Sequence, residues 1–211
     1  MQQKFLEKTL GQQIADMAAK YPDDNMIDYT DRDYSRTWKE FNDECETIAR
    51  GFMALGLKKG SHISIWGTNV PAWLLTFFGS AKMGGILVTV NTSYKVFELD
   101  YQLKQSDPEA IVLIDGYKGT SYIDIINELC PELESCEPGK LTSRRPPLLK
   151  SVIYAGEGEC PAGMVDWKDL YTLAEKTPVE EFEAVRDSCD CHEVVNIQYT
   201  SGTTGFPKGV M

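Results

Sequence analysis

Histidine is scarce in this chain of 211 residues, which contains only His62 and His192. Neither stands in a nucleophile motif, so the sequence gives little support to a hydrolase that works through a serine–histidine pair.

Basic residues are fewer than acidic residues. Lysine and arginine number 21 against 32 aspartate and glutamate residues, which gives a net charge of −11. Nucleic acids attract basic surfaces, and we therefore expect no nucleic-acid partner.

A long uninterrupted apolar run is missing as well. The most apolar stretch, Val70 to Val90, is broken by Pro71, Lys82 and the pair Gly84-Gly85. A membrane-spanning helix needs roughly 20 apolar residues in succession, so a buried helix followed by a buried strand is favoured. The first residues lack the apolar core of a secretory signal. We expect no transmembrane segment and a cytoplasmic location.

The six cysteines include no C-x-x-C pair. Without a secretory context they are expected to be reduced thiols, and Cys45 lies on the apolar face of a predicted helix. The segment Cys189-Asp190-Cys191-His192 offers metal-ligand chemistry at a closer spacing than structural zinc sites use, and no second ligand pair accompanies it. A polar linker is the favoured interpretation, with metal binding as the alternative.

Hydrophobic periodicity divides most of the chain into alternating helices and strands. Possible capping boxes at Thr9/Gln12 and Thr37/Glu40 mark two helix starts, and Gly56 marks a helix end. The predicted helices are 9–20, 38–55, 71–83, 96–105, 121–129 and 166–175. The predicted strands are 62–66, 86–90, 110–114, 151–155 and 194–199, preceded by a hairpin of 26–29 with 34–37. Residues 180–190 are acidic and are predicted to form an exposed connector.

This β-α-β-α rhythm predicts an α/β fold with a layered parallel or mixed sheet flanked by helices. We divide the chain into four segments of one incomplete domain. They are an N-terminal helix and hairpin (1–34), a βαβ core (35–155), a loop, helix and acidic connector (156–193), and a strand with a glycine-rich loop (194–211).

The last segment, Thr200 to Lys208, combines glycines, hydroxyls and one lysine. Phosphate oxygens are bound by converging backbone N–H groups and a nearby positive charge, and glycine reaches the backbone angles that such convergence needs. Phosphate-binding groups are therefore predicted at Thr200, Ser201, Gly202, Thr203, Thr204, Gly205 and Lys208. A P-loop NTPase is disfavoured, because Pro207 precedes the lysine and Gly209 follows it where that motif has Ser or Thr. A strand–loop–strand frame is preferred.

The run from Thr200 to Val210 resembles the signature loop of the adenylate-forming superfamily. The resemblance extends upstream through Thr37–Phe41, Trp66–Asn69, Lys82–Gly85, Asn91–Tyr94 and Glu98–Leu103. The fatty-acyl-CoA synthetase branch is the most similar. The resemblance implies the N-terminal portion of that fold, and a ligase that uses ATP to convert a carboxylic acid, here a fatty acid, to acyl-AMP and then transfers it to coenzyme A. A magnesium ion on the phosphates is also implied.

The family's later motifs, which contact adenine, ribose and the metal, are not found in these residues. We assign no catalytic and no metal-ligating residue, and we expect the chain to be part of a longer enzyme and inactive alone. The alternative function is a non-catalytic nucleotide-binding or interaction module. Neither acyl chain length nor oligomeric state is assigned.

Overall fold

The computed structural model describes residues 6–200, 205 and 207–211. Its α-helices are α1 (Leu10–Lys20), α2 (Trp38–Ala54), α3 (Pro71–Lys82), α4 (Val96–Ser106), α5 (Tyr122–Leu129), α6 (Asp169–Leu173) and α7 (Val179–Asp187). Its strands are β1 (Asn25–Tyr29), β2 (Tyr34–Thr37), β3 (His62–Trp66), β4 (Ile86–Thr89), β5 (Ala110–Leu113), β6 (Gly116–Tyr117), β7 (Thr120–Ser121), β8 (Ser151–Tyr154), β9 (Val165–Asp166), β10 (Asn196–Thr200) and β11 (Lys208–Val210).

Seven strands form the central sheet in the order β11-β10-β4-β3-β5-β8-β9. Every neighbouring pair is parallel except β10 and β11, which are antiparallel. The predicted α/β fold with a layered, mostly parallel sheet is confirmed. The hairpin β1–β2 and the short pair β6–β7 lie outside this sheet.

Local sequence signals set the helix boundaries. Both predicted capping boxes form: the Gln12 backbone N–H donates to Thr9 Oγ1 at 3.1 Å, and the Glu40 backbone N–H donates to Thr37 Oγ1 at 3.2 Å. Each cap satisfies N–H groups that the first helical turn leaves unpaired. Gly56, just beyond α2, has a φ of +87°, a conformation that glycine adopts without steric cost.

The sheet separates two hydrophobic cores, because successive side chains of a strand point to opposite faces. On β5, Ala110 and Val112 lie in the core beneath α2 and α3, whereas Ile111 and Leu113 lie in the core beneath α4 and α5. The predicted apolar face of α2, including Cys45, is buried in the first of these cores. The strands are therefore apolar on both faces, as a covered parallel sheet requires.

Residues 180–190, predicted as an exposed acidic connector, are helical over most of their length, although six of the eleven residues are exposed. Residues Val179–Asp187 form α7, and Phe182 within it is only 1% exposed. The turn before α7 is bound to α2, where Arg50 Nε donates to the Thr177 carbonyl oxygen at 3.0 Å. Acidic residues in a first helical turn are favoured by the helix dipole, so Glu180 and Glu181 were a helix signal as well as a charge run.

A second difference concerns residues 166–175, which were predicted as one helix. Val165–Asp166 instead adds a short parallel strand beside β8, and the helical part is divided into α6 and a 3₁₀ turn at Ala174–Lys176. The Trp167 backbone N–H donates to the Tyr154 carbonyl oxygen at 2.9 Å, which continues the ladder beyond β9. Pairing with a distant strand therefore overrode the local helical pattern.

Candidate functional site

Strand β10 delivers the glycine-rich loop to one particular edge of the sheet. It runs parallel to β4, with Asn196 opposite Leu87 and Ile197 opposite Val88. Its carboxyl end therefore lies at the same edge as the carboxyl ends of β3, β4, β5 and β8. In open α/β sheets this is the edge where ligands bind.

Strand β11 returns from the loop and pairs with β10. Thr200 lies opposite Lys208, and Gln198 lies opposite Val210. The predicted strand–loop–strand frame is confirmed. The register brings the hydroxyl of the first predicted phosphate ligand and the ammonium of the last to the same end of a hairpin.

Three of the seven predicted phosphate-binding residues are described. Thr200 and Lys208 are exposed, and Gly205 has a φ of +128°, which favours glycine over any side chain. The structure therefore brings Thr200 and Lys208 together at the base of the loop, with both side chains accessible to a ligand. The other four predicted residues lie outside the described part of the chain: Ser201, Gly202, Thr203 and Thr204.

The β10–β11 hairpin contacts α4, and its two strands pack closely against each other. Ile197 is 7% exposed, and Tyr101 Oη donates to the Pro207 carbonyl oxygen at 3.4 Å. A Cβ added at Gly209 would lie 3.0 Å from Ile197 Cγ2 and 3.3 Å from the Tyr199 ring. Glycine at this position therefore permits the close packing that holds the lysine-bearing strand.

The loop that leaves β4 is held beside this hairpin by two aromatic side chains. Trp66 and Tyr122 are stacked, with ring centroids 3.7 Å apart and an interplanar angle of 12°. Trp66 Nε1 donates to the Asn91 carbonyl oxygen at 3.1 Å, and Tyr122 Oη donates to the Thr92 carbonyl oxygen at 2.8 Å. Burial raises the pKa of Tyr122 to about 12, so this phenol keeps the proton that it donates at neutral pH.

A polar cavity of about 420 Å³ lies along the same edge. The segments after β3, β4 and β5 and the tip of the β1–β2 hairpin contribute its lining: Asp31, Arg32, Gly67, Thr68, Asn69, Thr92 and Tyr117. The hydrogen bond from Arg32 lowers the pKa of Asp31, and the two groups form an ion pair at 3.1 Å. Sequence reasoning missed Asp31, Arg32 and Tyr117, because nothing in their local pattern links a hairpin tip to the ends of distant strands.

The edge therefore offers hydroxyl groups, accessible backbone and a lysine ammonium, which suit the binding of a polyphosphate. Such groups can stabilise negative charge on phosphate oxygens and can position a phosphate-bearing substrate. Within the described ranges, no helix is long and apolar enough to cross a membrane.

Comparison with known proteins gives one consistent result. The family model described as "AMP-binding enzyme" matches residues 14–211. The putative acyl-CoA synthetase YngI of Bacillus subtilis is 46% identical over 208 residues, which are 99% of this chain and 38% of that protein. The mitochondrial medium-chain acyl-CoA ligase ACSF2 of Danio rerio is 34% identical over 95% of this chain and 33% of its own length.

A solved structure confirms the fold. The N-terminal domain of FACL13 from Mycobacterium tuberculosis superposes with a TM-score of 0.72 at 21% identity, covering 96% of this chain and 43% of that one. The chain thus spans between a third and two fifths of the length of the curated relatives named here.

Proposed function

The chain belongs to the family of AMP-binding enzymes, and on that premise we propose that it is the phosphate-binding portion of an acyl-CoA synthetase. The proposed enzyme uses ATP to activate a carboxylic acid and then transfers the acyl group to coenzyme A. Both relatives named above are called acyl-CoA synthetases or ligases, which supports the reaction class. The activity of the whole protein is a proposal, since this chain spans 38% of the bacterial relative.

The observation that carries the proposal is the β10–β11 hairpin at the carboxyl edge, with Thr200 opposite Lys208. In the proposed first step a carboxylate oxygen attacks the α-phosphorus of ATP, and the bond to the bridging oxygen breaks to release pyrophosphate. Negative charge then develops on the leaving β- and γ-phosphates. Lys208 and the loop hydroxyls stabilise this charge better than the charge of the ground state, which lowers the barrier.

In the proposed second step the thiol of coenzyme A loses its proton to solvent and its sulfur attacks the acyl carbonyl carbon; the bond from that carbon to the phosphate oxygen then breaks, and AMP leaves with the bonding electrons. The loop sequence from Thr200 to Lys208 contains hydroxyls but no carboxylate. It therefore fits a magnesium ion that arrives bound to the nucleotide, because Mg²⁺ is commonly held by substrate phosphates and water. When bound, that ion supplies neutralisation of phosphate charge.

We propose a fatty acid as the substrate, supported by the name of the zebrafish relative, a medium-chain acyl-CoA ligase. The predicted cytoplasmic location stays a prediction, since that relative is named as mitochondrial. The division of the chain at residues 34, 155 and 193 and the inactivity of the chain alone also stay predictions. Acid-dependent exchange of pyrophosphate into ATP by the 211-residue chain would contradict the last of these.

Binding calorimetry with ATP–Mg²⁺, tripolyphosphate and AMP tests the proposed phosphate site. We expect ATP and tripolyphosphate to compete, because both present a polyphosphate chain, and AMP to compete at least tenfold less well. Lys208→Ala removes one charge-assisted contact, worth about 1.5–3 kcal/mol, and should weaken ATP binding roughly tenfold or more.

Lys140→Ala is the matched control, because Lys140 is an exposed lysine that pairs with Glu137 in a different part of the fold. It should bind ATP as the unchanged chain does. Equal binding by the Lys208→Ala variant, or equal competition by AMP, would refute the assignment of the loop. Full ATP affinity in a longer protein that shows no acid-dependent pyrophosphate exchange would instead favour the non-catalytic nucleotide-binding module.

A further inference from the structure

The opposite edge of the sheet carries a separate cluster of metal-ligand groups. Within the described part of the chain, Asp190, Cys191 and His192 are the one group of three or more such residues whose ligand atoms come together, all within 4.8 Å of one another. They precede β10, so they lie at the amino ends of the parallel strands. The β10–β11 hairpin, which carries Thr200 and Lys208, lies at the carboxyl ends of the same strands.

We propose that Asp190, Cys191 and His192 form a binding site for a divalent transition metal of the zinc class. A carboxylate oxygen, a thiolate sulfur and an imidazole nitrogen are the three ligand types that zinc takes in proteins. Around one tetrahedral ion such atoms stand roughly 3.4–3.8 Å apart, as follows from bond lengths of about 2.0–2.3 Å. The largest separation, 4.8 Å, exceeds this by about 1 Å, which rotations of the exposed Asp190 and His192 side chains can close.

The backbone already holds the three residues in a tight turn. The Glu193 backbone N–H donates to the Asp190 carbonyl oxygen at 3.1 Å, and the His192 backbone N–H donates to Asp190 Oδ1 at 2.8 Å. The second carboxylate oxygen of Asp190 is left for an ion. Both carboxylate oxygens of Glu193 have other partners: one pairs with Lys59 at 2.7 Å, and the other accepts from the Asp190 backbone N–H at 3.0 Å.

A cavity of about 250 Å³ opens beside the turn and supplies room for a fourth ligand. Asp190 and Cys191 line it together with Gly84 and Gly85 before β4 and with Lys8 and Thr9 just before α1, whereas His192 is not among the lining residues. A three-ligand zinc site keeps its fourth position for water or an exogenous group. The cavity therefore adjoins two of the three proposed ligands, Asp190 and Cys191.

The spacing of the sequence alone favoured a polar linker, because structural zinc sites use two ligand pairs. The structure favours metal binding more than the spacing did, because the ligand atoms of three successive residues lie within 4.8 Å of one another and two of these residues line a cavity. Cys189 is not part of the cluster, since its Sγ donates to the Val185 carbonyl oxygen at 3.4 Å. The site requires the thiolate of Cys191 and the imidazole of His192.

Titration of the reduced 211-residue chain with Co²⁺, followed by absorption spectroscopy, tests the site. Cobalt takes the same ligands as zinc, and a thiolate bound to it gives an intense near-ultraviolet charge-transfer band. We expect one equivalent of Co²⁺ to produce this band and one equivalent of Zn²⁺ to displace it. The Cys191→Ser variant should lose the band, and His192→Gln should lower the affinity at least tenfold.

Cys136→Ser is the matched control, because Cys136 is also half-buried but lies outside the cluster. It should keep the band and the affinity, and circular dichroism of each variant verifies that it is folded. The proposal is wrong if Co²⁺ gives no thiolate band, or if the band survives in Cys191→Ser. A band that disappears in the Cys136 variant would equally refute it.

Discussion

At the scale of single residues, Lys82 shows that a charged side chain can be part of a buried contact between helices. In the sequence it interrupts an apolar run, whereas in the structure its side chain has no exposed surface. Its Nζ donates to Asn42 Oδ1 at 2.7 Å and to Glu46 Oε1 at 3.0 Å, which joins α3 to α2. Gly11 lets α1 approach the same side chain, because a Cβ there would lie 3.1 Å from Lys82 Cγ.

The first stability prediction follows from this buried ammonium. Glu46→Ala leaves Lys82 with one neutral partner and should lower the free energy of unfolding by about 2 kcal/mol. Lys82→Met removes the charge and keeps the volume, and it should cost less than half as much. Urea unfolding measures the free energy of unfolding of both variants. Lys39→Ala, which removes an exposed ion pair with Asp43, should cost less than about 0.5 kcal/mol.

A greater loss in Lys82→Met than in Glu46→Ala would contradict this account. It would mean that the ion pair itself, and not the avoidance of an unpaired buried charge, stabilises the contact between α2 and α3.

At the scale of elements, one carboxylate ties together the starts of three parallel strands. Glu109, just before β5, accepts from Ser61 Oγ at 2.6 Å and from Lys150 Nζ at 2.9 Å. Ser61 precedes β3 and Lys150 precedes β8. Burial alone would raise the pKa of Glu109, but the hydrogen bonds from Ser61 and Lys150 outweigh it, and the pKa is lowered from its usual value of 4.5.

The second prediction concerns the pH dependence of this contact. Because the folded-state pKa of Glu109 is lower than the unfolded-state value, its contribution is complete above pH 4.5 and is lost as the pH falls through the folded-state pKa. Glu109→Gln should therefore lower the free energy of unfolding by about 1–2 kcal/mol at pH 7 and by less at pH 3. Urea titrations at the two pH values measure this difference.

Glu137→Gln is the control for Glu109, since Glu137 also bonds to a lysine but is exposed. It should leave the free energy of unfolding unchanged. A loss in Glu109→Gln that is equally large at pH 3 would show that shape, and not charge, decides the contact.

Elements also show where local patterns were sufficient. The starts of α1 and α2, at Thr9 and Thr37, follow from capping boxes that span four residues, and these formed as predicted. Helix α7 was missed because three of its nine residues are glutamates and only one of its side chains, Phe182, is fully buried. Its docking depends on α2, which precedes it by well over a hundred residues, through the Arg50–Thr177 contact.

At the scale of the whole molecule, the two hydrophobic cores share one sheet. A substitution that destabilises one core should therefore destabilise the other core as well. Strand β5 contributes Val112 to one core and Leu113 to the other. We expect the described chain to unfold in one cooperative transition for this reason. The four segments assigned from the sequence would then be parts of one folding unit.

The third prediction tests that cooperativity. Phe182→Ala on α7 empties a buried aromatic site and should cost about 3–5 kcal/mol. Trp66, which contributes to the tryptophan fluorescence, lies in the opposite core from Phe182. We expect the variant to lower the urea midpoint measured by tryptophan fluorescence and the midpoint measured by far-ultraviolet circular dichroism by the same amount. Val179→Ala, an exposed position on the same helix, should cost less than about 0.5 kcal/mol. Separate midpoints for the two probes would disprove a single transition.

The sequence by itself determined the α/β rhythm, the starts of α1 and α2 and the strand–loop–strand frame, because capping boxes and hydrophobic periodicity act within a few residues. Tertiary structure alone decided that Thr200 faces Lys208 and that Arg32 and Tyr117 line one cavity with Asn69. It also decided that Lys82 is buried with its partners. These outcomes depend on distances between residues far apart in the chain, which only the packing of helices on the sheet sets.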